Sequence, residues 1–122
     1  MLLVLVEEGP DGRLADRSAD ALARAAALGG PVHAVCVRTV PAALTGADVV
    51  YRLRHELLDG YAPDAIARAV EQLVADTGAD GVLAAATPRG DEVLARLAAM
   101  AGLPLATAWV AISTGGPGEP WT

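Results

Sequence analysis

The sequence predicts a three-layer α/β/α sandwich, with helices on both faces of a mostly parallel five-stranded sheet. Three observations carry that prediction. Short apolar runs alternate along the chain with amphipathic stretches of helical period. The connections between them are brief and carry Gly, as right-handed crossovers between parallel strands require. A length of 122 residues suits one domain, enough to bury roughly two-thirds of its unfolded surface in a single core.

The elements follow in order. "LLVLVE" (2–7), "VHAVCV" (32–37), "DVVYRL" (48–53), "GVLAAAT" (81–87) and "LATAWVAI" (105–112) are short and rich in Val, Ile, Leu or Ala, the pattern of strands buried on both faces. The first helix falls in "SADALARAAALGG", where the Ser18 hydroxyl is placed to cap, Leu22, Ala25 and Ala26 share a face, and Gly29 supplies a left-handed stop. In "PDAIARAVEQLVADTG", Pro63 takes the first helical position, Ile66, Val70, Leu73 and Val74 form the buried stripe, and Gly78 closes. In "ATPRGDEVLARLAAMAG", a turn of Thr87, Pro88, Arg89 and Gly90 opens the third helix, with Leu94, Leu97, Ala98 and Ala101 on its apolar side and Asp91 as the expected cap. Gly102 and Pro104 end that helix. The crossover "TVPAALTGA" (39–47) is too short for a long helix and should be one brief turn, while "RHELLDGY" (54–61) fits more than one state. The closing "STGGPGEPWT" (113–122) reads as a Gly/Pro linker.

Composition removes several functional classes. With 53% hydrophobic residues the chain is no disordered segment, and no stretch approaches the roughly 20 apolar residues that cross a bilayer. The start, "MLLVLVEEGPDG", turns acidic after five apolar residues and reads as a buried strand rather than a signal peptide, so a cytoplasmic address is expected. A net charge of −6, with nine scattered Arg and no Lys, argues against a nucleic-acid surface and rules out a P-loop. A lone Cys36 excludes an internal disulfide and a multi-cysteine metal cluster.

Open parallel sheets bind ligands at the carboxyl ends of their strands, beside the point where strand order reverses. Here that crevice should gather Glu7, Glu8, Arg38, Thr87, Arg89 and Gly90. Two readings compete for the 87–92 turn. Either Thr87, Arg89 and Gly90 cradle a nucleotide phosphate at a helix N-terminus, or Asp91 and Glu92 already satisfy the helix dipole and leave no place for an anion; the acidic pair favours the second. His33 and Cys36, three apart on a strand, point to opposite faces and share no metal, and His55 lacks an i, i+4 partner. No Ser or Thr stands at a recognisable spacing from a His, so no catalytic residue is expected. Trp109 and Trp121, among the few aromatics, either meet a partner or, for Trp109, pack under a helix.

The order of these features resembles a known family. The opening "LVLVE", the acidic and glycine loop ending in "GRL", the helix "ALARAAALGG", "VHAV", "GYAPDAIARAVEQLV" and "ADGVLAAATPRGDEVLARLAAMAGLPLAT" together are similar to the N-terminal domain of the electron transfer flavoprotein alpha subunit, over about residues 2 to 112. The resemblance implies an adenine-nucleotide-hydrolase-like (Rossmann-like) domain at 1–112, with 113–122 leading to a C-terminal FAD domain outside this chain. It implies a heterodimer with the electron transfer flavoprotein beta subunit that takes electrons from dehydrogenases. FAD is then expected in the full-length complex and none in this chain alone, with no membrane insertion. The turn Arg89-Gly90-Asp91-Glu92 departs from the more basic turn of many members, which weakens any phosphate role. Two rival classes share the architecture. A free-standing adenine-nucleotide-binding module of the universal-stress type needs a glycine-rich loop where "TPRGDE" has one glycine, and a pyrophosphatase-type enzyme needs a Ser/Gly loop where "EEGPDG" stands.

Overall fold

In the computed structural model, residues 1–54 and 62–101 are described, together with the backbone of 109–111. The chain runs β1 (Leu2–Leu5), α1 (Asp16–Ala27), β2 (Val32–Val37), β3 (Val49–Leu53), α2 (Pro63–Thr77), β4 (Gly81–Ala84), α3 (Pro88–Ala101) and β5 (Trp109–Ala111). Four strands form a parallel sheet in the order β3-β2-β1-β4. The three-residue β5 joins β4 antiparallel, so the parallel part of the sheet has four strands, one fewer than a fully parallel reading of the five runs would give. β5 therefore runs alongside β4 in the opposite direction.

Burial on both faces explains the apolar strand sequences. Leu3, Leu5, Val35, Val82 and Ala84 pack against Ile66, Ala67, Val70 and Val74 of α2 and Val93, Leu94, Leu97 and Ala98 of α3. Their strand neighbours Leu2, Val4, Val32, Ala34, Cys36 and Leu83 face the other way and meet Ala21, Leu22 and Ala25 of α1. Strand alternation thus feeds two cores at once. β3 breaks the pattern, since Val49, Val50 and Arg52 are exposed and only Tyr51 and Leu53 reach the α2/α3 core. It is expected to be buried on both faces; as an edge strand it has, among the described residues, one neighbour and one covered face.

Local corrections have equally physical causes. α1 begins at Asp16 with Ala15 as its N-cap and no side-chain cap bond. Ser18 therefore lies inside the helix, fully buried, and its hydroxyl accepts the Glu7 N–H at 2.8 Å instead of capping. Ala26 and Ala101 are exposed rather than core-facing, because Ala21 and Ala25 complete the α1 stripe and Leu94, Leu97 and Ala98 complete that of α3. Gly29 and Gly78 take the left-handed conformation (φ 85° and 71°) that ends α1 and α2. Arg96 of α3 donates to Asp64 of α2 at 2.6 Å and to Glu92 at 2.9 Å, and these bonds hold its guanidinium further above its already high value. His55, Gly102, Pro104, Ser113, Trp121 and the 113–122 tail lie outside the described residues.

Two measurements check this packing. Leu97→Ala, at a fully buried contact between α3 and the sheet, should lower stability by about 2–5 kcal/mol in urea unfolding. Cys36 is buried in the α1-side core, and desolvation pushes its thiol pKa up. Its neutral form is the one the fold favours, so this contribution is present below the ordinary thiol value of about 8.5 and is lost as pH rises through the folded value. Thiol-specific reagents at neutral pH should label Cys36 only after unfolding, and rapid labelling of the folded chain would contradict the assignment.

Candidate functional site at the strand switch

Sheet order reverses beside β1, because the chain proceeds from β1 outward to β2 and β3 and then crosses back to β4 on the other side. The loops leaving β1 and β4 consequently part there, opening a cleft at the carboxyl ends of the parallel strands. Its volume is about 410 Å³. Leu5, Val37, Ile66 and Val93 form an apolar floor, and Glu7, Glu8, Arg38, Thr39, Arg89 and Gly90 stand around the mouth. Of the six residues expected in the crevice, five line it. Thr87 does not, because its side chain is turned to Glu7 and the α3 backbone.

That turn answers whether the segment before α3 is set up for an anion. Pro88 is already helical, so what reads as a glycine turn is the first turn of α3. Thr87 accepts the Gly90 N–H on Oγ1 at 3.0 Å and accepts the Asp91 N–H on its carbonyl at 2.8 Å. These two bonds make Thr87 the cap and leave Asp91 an exposed first-turn residue, correcting the expectation that Asp91 caps. Thr87 then donates its hydroxyl hydrogen to Glu7 Oε2. Glu7 is fixed from the other side, its N–H bound to Ser18 and its carbonyl accepting from Ala15 at 3.0 Å. A continuous chain of bonds therefore links α1, the end of β1 and the start of α3.

Gly90 is required by space. A Cβ there would lie 2.2 Å from the Ala85 carbonyl oxygen and 3.2 Å from Ala84 Cβ, so α3 begins in direct contact with the end of β4. Only a residue without a side chain permits that approach. Across the cleft, Glu8 accepts from Thr39 Oγ1 at 2.7 Å, and the backbones of 8–14 and 42 are tied by short bridges. Arg38, at the end of β2, holds a left-handed backbone (φ 69°) that non-glycine residues seldom adopt, which turns the chain sharply at the cleft mouth. Arg17 Nη1 donates to the Ala86 carbonyl at 2.9 Å and braces the β4–α3 connection from outside.

Sequence reasoning found the polar rim and missed the apolar floor. Ile66 and Val93 read only as helix stripe residues, and no local signal says that they also floor a cleft. His33 and Cys36 do face opposite sides, His33 Nδ1 lying 3.1 Å from the Tyr51 hydroxyl and Cys36 under α1. Among the described residues no group of His, Cys, Asp and Glu could hold a metal ion.

The fold and the cleft define a Rossmann-like α/β domain of the kind that places its site at a strand switch. Residues 2–119 match the family model of the electron transfer flavoprotein domain. The chain belongs to that electron-transfer family, whose model does not distinguish alpha from beta subunits. No curated protein matches it. No helix among the described residues is long and apolar enough to cross a membrane.

The cap assignment separates two neighbouring threonine and aspartate roles. Thr87→Ala should cost about 0.5–2 kcal/mol as a lost cap. Asp91→Ala, an exposed substitution, should stay within about 0.5 kcal/mol. Chemical denaturation of the two variants decides, and the reverse ranking would return the cap to Asp91.

Proposed function

We propose that this chain acts as the N-terminal domain of an electron transfer flavoprotein alpha subunit. In this reading it pairs with the beta subunit and supports electron transfer from dehydrogenases, without catalytic residues of its own. The observation that carries the proposal is the engaged first turn of α3. Thr87 already fills the Gly90 N–H, Asp91 supplies negative charge, and the Glu7 carboxylate is bound directly beside the turn. A flavin or nucleotide pyrophosphate needs those same amides and that same field. The residues therefore do not fit the pyrophosphate of FAD, which supports a flavin held mainly by the alpha subunit's C-terminal domain and no tightly held nucleotide here.

The competing class is a free-standing adenine-nucleotide-binding module of the universal-stress type. The position of the cleft at the strand switch, with Arg38 and Arg89 at its mouth, is what favours it. The two readings separate in one preparation. The purified chain should be colourless and should show no heat on titration with AMP or ATP. Flavin absorbance near ~450 nm should appear only when the beta subunit and the alpha subunit's flavin domain are supplied, since the cofactor carries the chromophore and the redox chemistry. Stoichiometric FAD on residues 1–122 alone would overturn the assignment of the cofactor, and tight AMP binding would favour the nucleotide module.

A further inference from the structure

Among the described residues only two that are not glycine hold a left-handed backbone, Arg38 (φ 69°) and Ala43 (φ 64°), and they stand at the two ends of one segment. Thr39 and Pro41 within that segment line the cleft. We propose that residues 38–43 form a strap, closed against the cleft in a strained form by bonds to the β1–α1 loop, which swings away about Arg38 and Ala43 to widen the mouth. The inference rests on backbone conformation and hydrogen bonds, so it stands independently of the electron-transfer reading.

The two ends can act as hinges because the residues just beyond them are anchored. Val37 packs on the α2/α3 core and Leu44 on the α1 core. At Arg38 the chain reverses within three residues, the Thr39 N–H bonding back to the Val37 carbonyl at 2.9 Å, and with positive φ this is the rare, strained hand of the γ-turn. Ala43 is exposed, so its left-handed backbone places no side chain in a core and carries the clash of Cβ with the following carbonyl. Strain of this kind persists only where the surroundings impose it.

Bonds to the β1–α1 loop impose it here. The Ala42 N–H donates to the Gly12 carbonyl at 2.9 Å, its carbonyl accepts the Leu14 N–H at 2.7 Å, and Thr39 Oγ1 donates to Glu8 Oε2 at 2.7 Å. The loop on the far side of these bonds is braced without the strap. Its Gly9 N–H bonds to the Arg13 carbonyl at 2.8 Å, its Gly12 N–H to the Gly9 carbonyl at 3.0 Å, and the Ala15 N–H fixes its far end to the Glu7 carbonyl at 3.0 Å. The base therefore stays when the strap leaves. Pro41 alone is buried among residues 38–43, so opening exposes little apolar surface while it lets Arg38 and Ala43 relax to ordinary backbone. Departure of Thr39 and Pro41 opens the cleft along its β2 side and admits an occupant larger than the closed 410 Å³.

Native-state hydrogen exchange on the full chain, read as protection factors, tests the strap. The Ala42 and Leu14 amides bond across it and should open together, about a hundredfold or more less protected than the Val6 amide, which bonds to Val35 inside the sheet. The Gly9 amide, internal to the base, should be better protected than both. Ala43→Gly relieves the left-handed backbone and should raise protection of Ala42 and Leu14 by about threefold or more, the reverse of the loosening that glycine ordinarily brings to a loop. Thr39→Val removes the bond to Glu8 and should lower protection of both by about twofold or more with unchanged circular dichroism. Protection of Ala42 and Leu14 equal to that of Val6 would overturn the proposal, because the strap then opens only with the whole fold. Lower protection in Ala43→Gly would also overturn it, as no strain is then released, and so would a Gly9 amide that opens in step with Ala42, which would make base and strap one unit.

Discussion

β1 is hydrogen-bonded along both edges and covered on both faces, with Leu2, Leu3 and Val4 at no more than 1% exposure and Leu5 at 6%. A strand so enclosed has no water to satisfy its backbone, so β2 and β4 must lie in register beside it. Its two faces need separate covers, which α1 supplies on one side and α2 with α3 on the other. Where β1 ends, the chain emerges between loops that diverge, and Glu7 is the first half-exposed residue there. The cleft is therefore a consequence of burying that strand.

Rigidity at the cleft comes from polar groups spent on one another. Ser18 and Thr87 are both hydroxyl residues adjoining helix starts, yet each is committed to Glu7 or its backbone, and through it α1 and α3 are fixed relative to β1. Hydrogen bonds of this kind exclude rival partners, because each donor and lone pair used internally is withdrawn from a ligand. The same contact that packs α3 onto β4 at Gly90 brings its first turn within reach of Glu7. The close packing of α3 on β4 and the engagement of its first turn with Glu7 thus have one origin.

The opposite margin of the sheet follows another logic. β4 is bordered by β5, whereas β3 has Arg52 and two open valines and no described strand beyond it. Charged residues on an edge often discourage pairing.

The sequence by itself determined the elements and the two-sided core, because a parallel sheet covered by helices demands uninterrupted apolar strands and helices with a single stripe. Pro63, Gly29 and Gly78 marked helix limits through backbone restrictions that act within a few residues. It also named Glu7, Glu8, Arg38, Arg89 and Gly90 for the cleft, since strand ends and their first loop residues must gather where the order reverses. Tertiary structure alone decided what those groups do. Ser18 has the spacing of a cap and serves Glu7, eleven residues away, and Thr87 caps α3 while bonding a residue eighty positions earlier. Ile66 and Val93 became a floor, β5 ran antiparallel and β3 was covered on one face only. Propensity and period report on neighbours along the chain, whereas each of these outcomes depends on which distant surface arrives opposite a side chain once the sheet has formed.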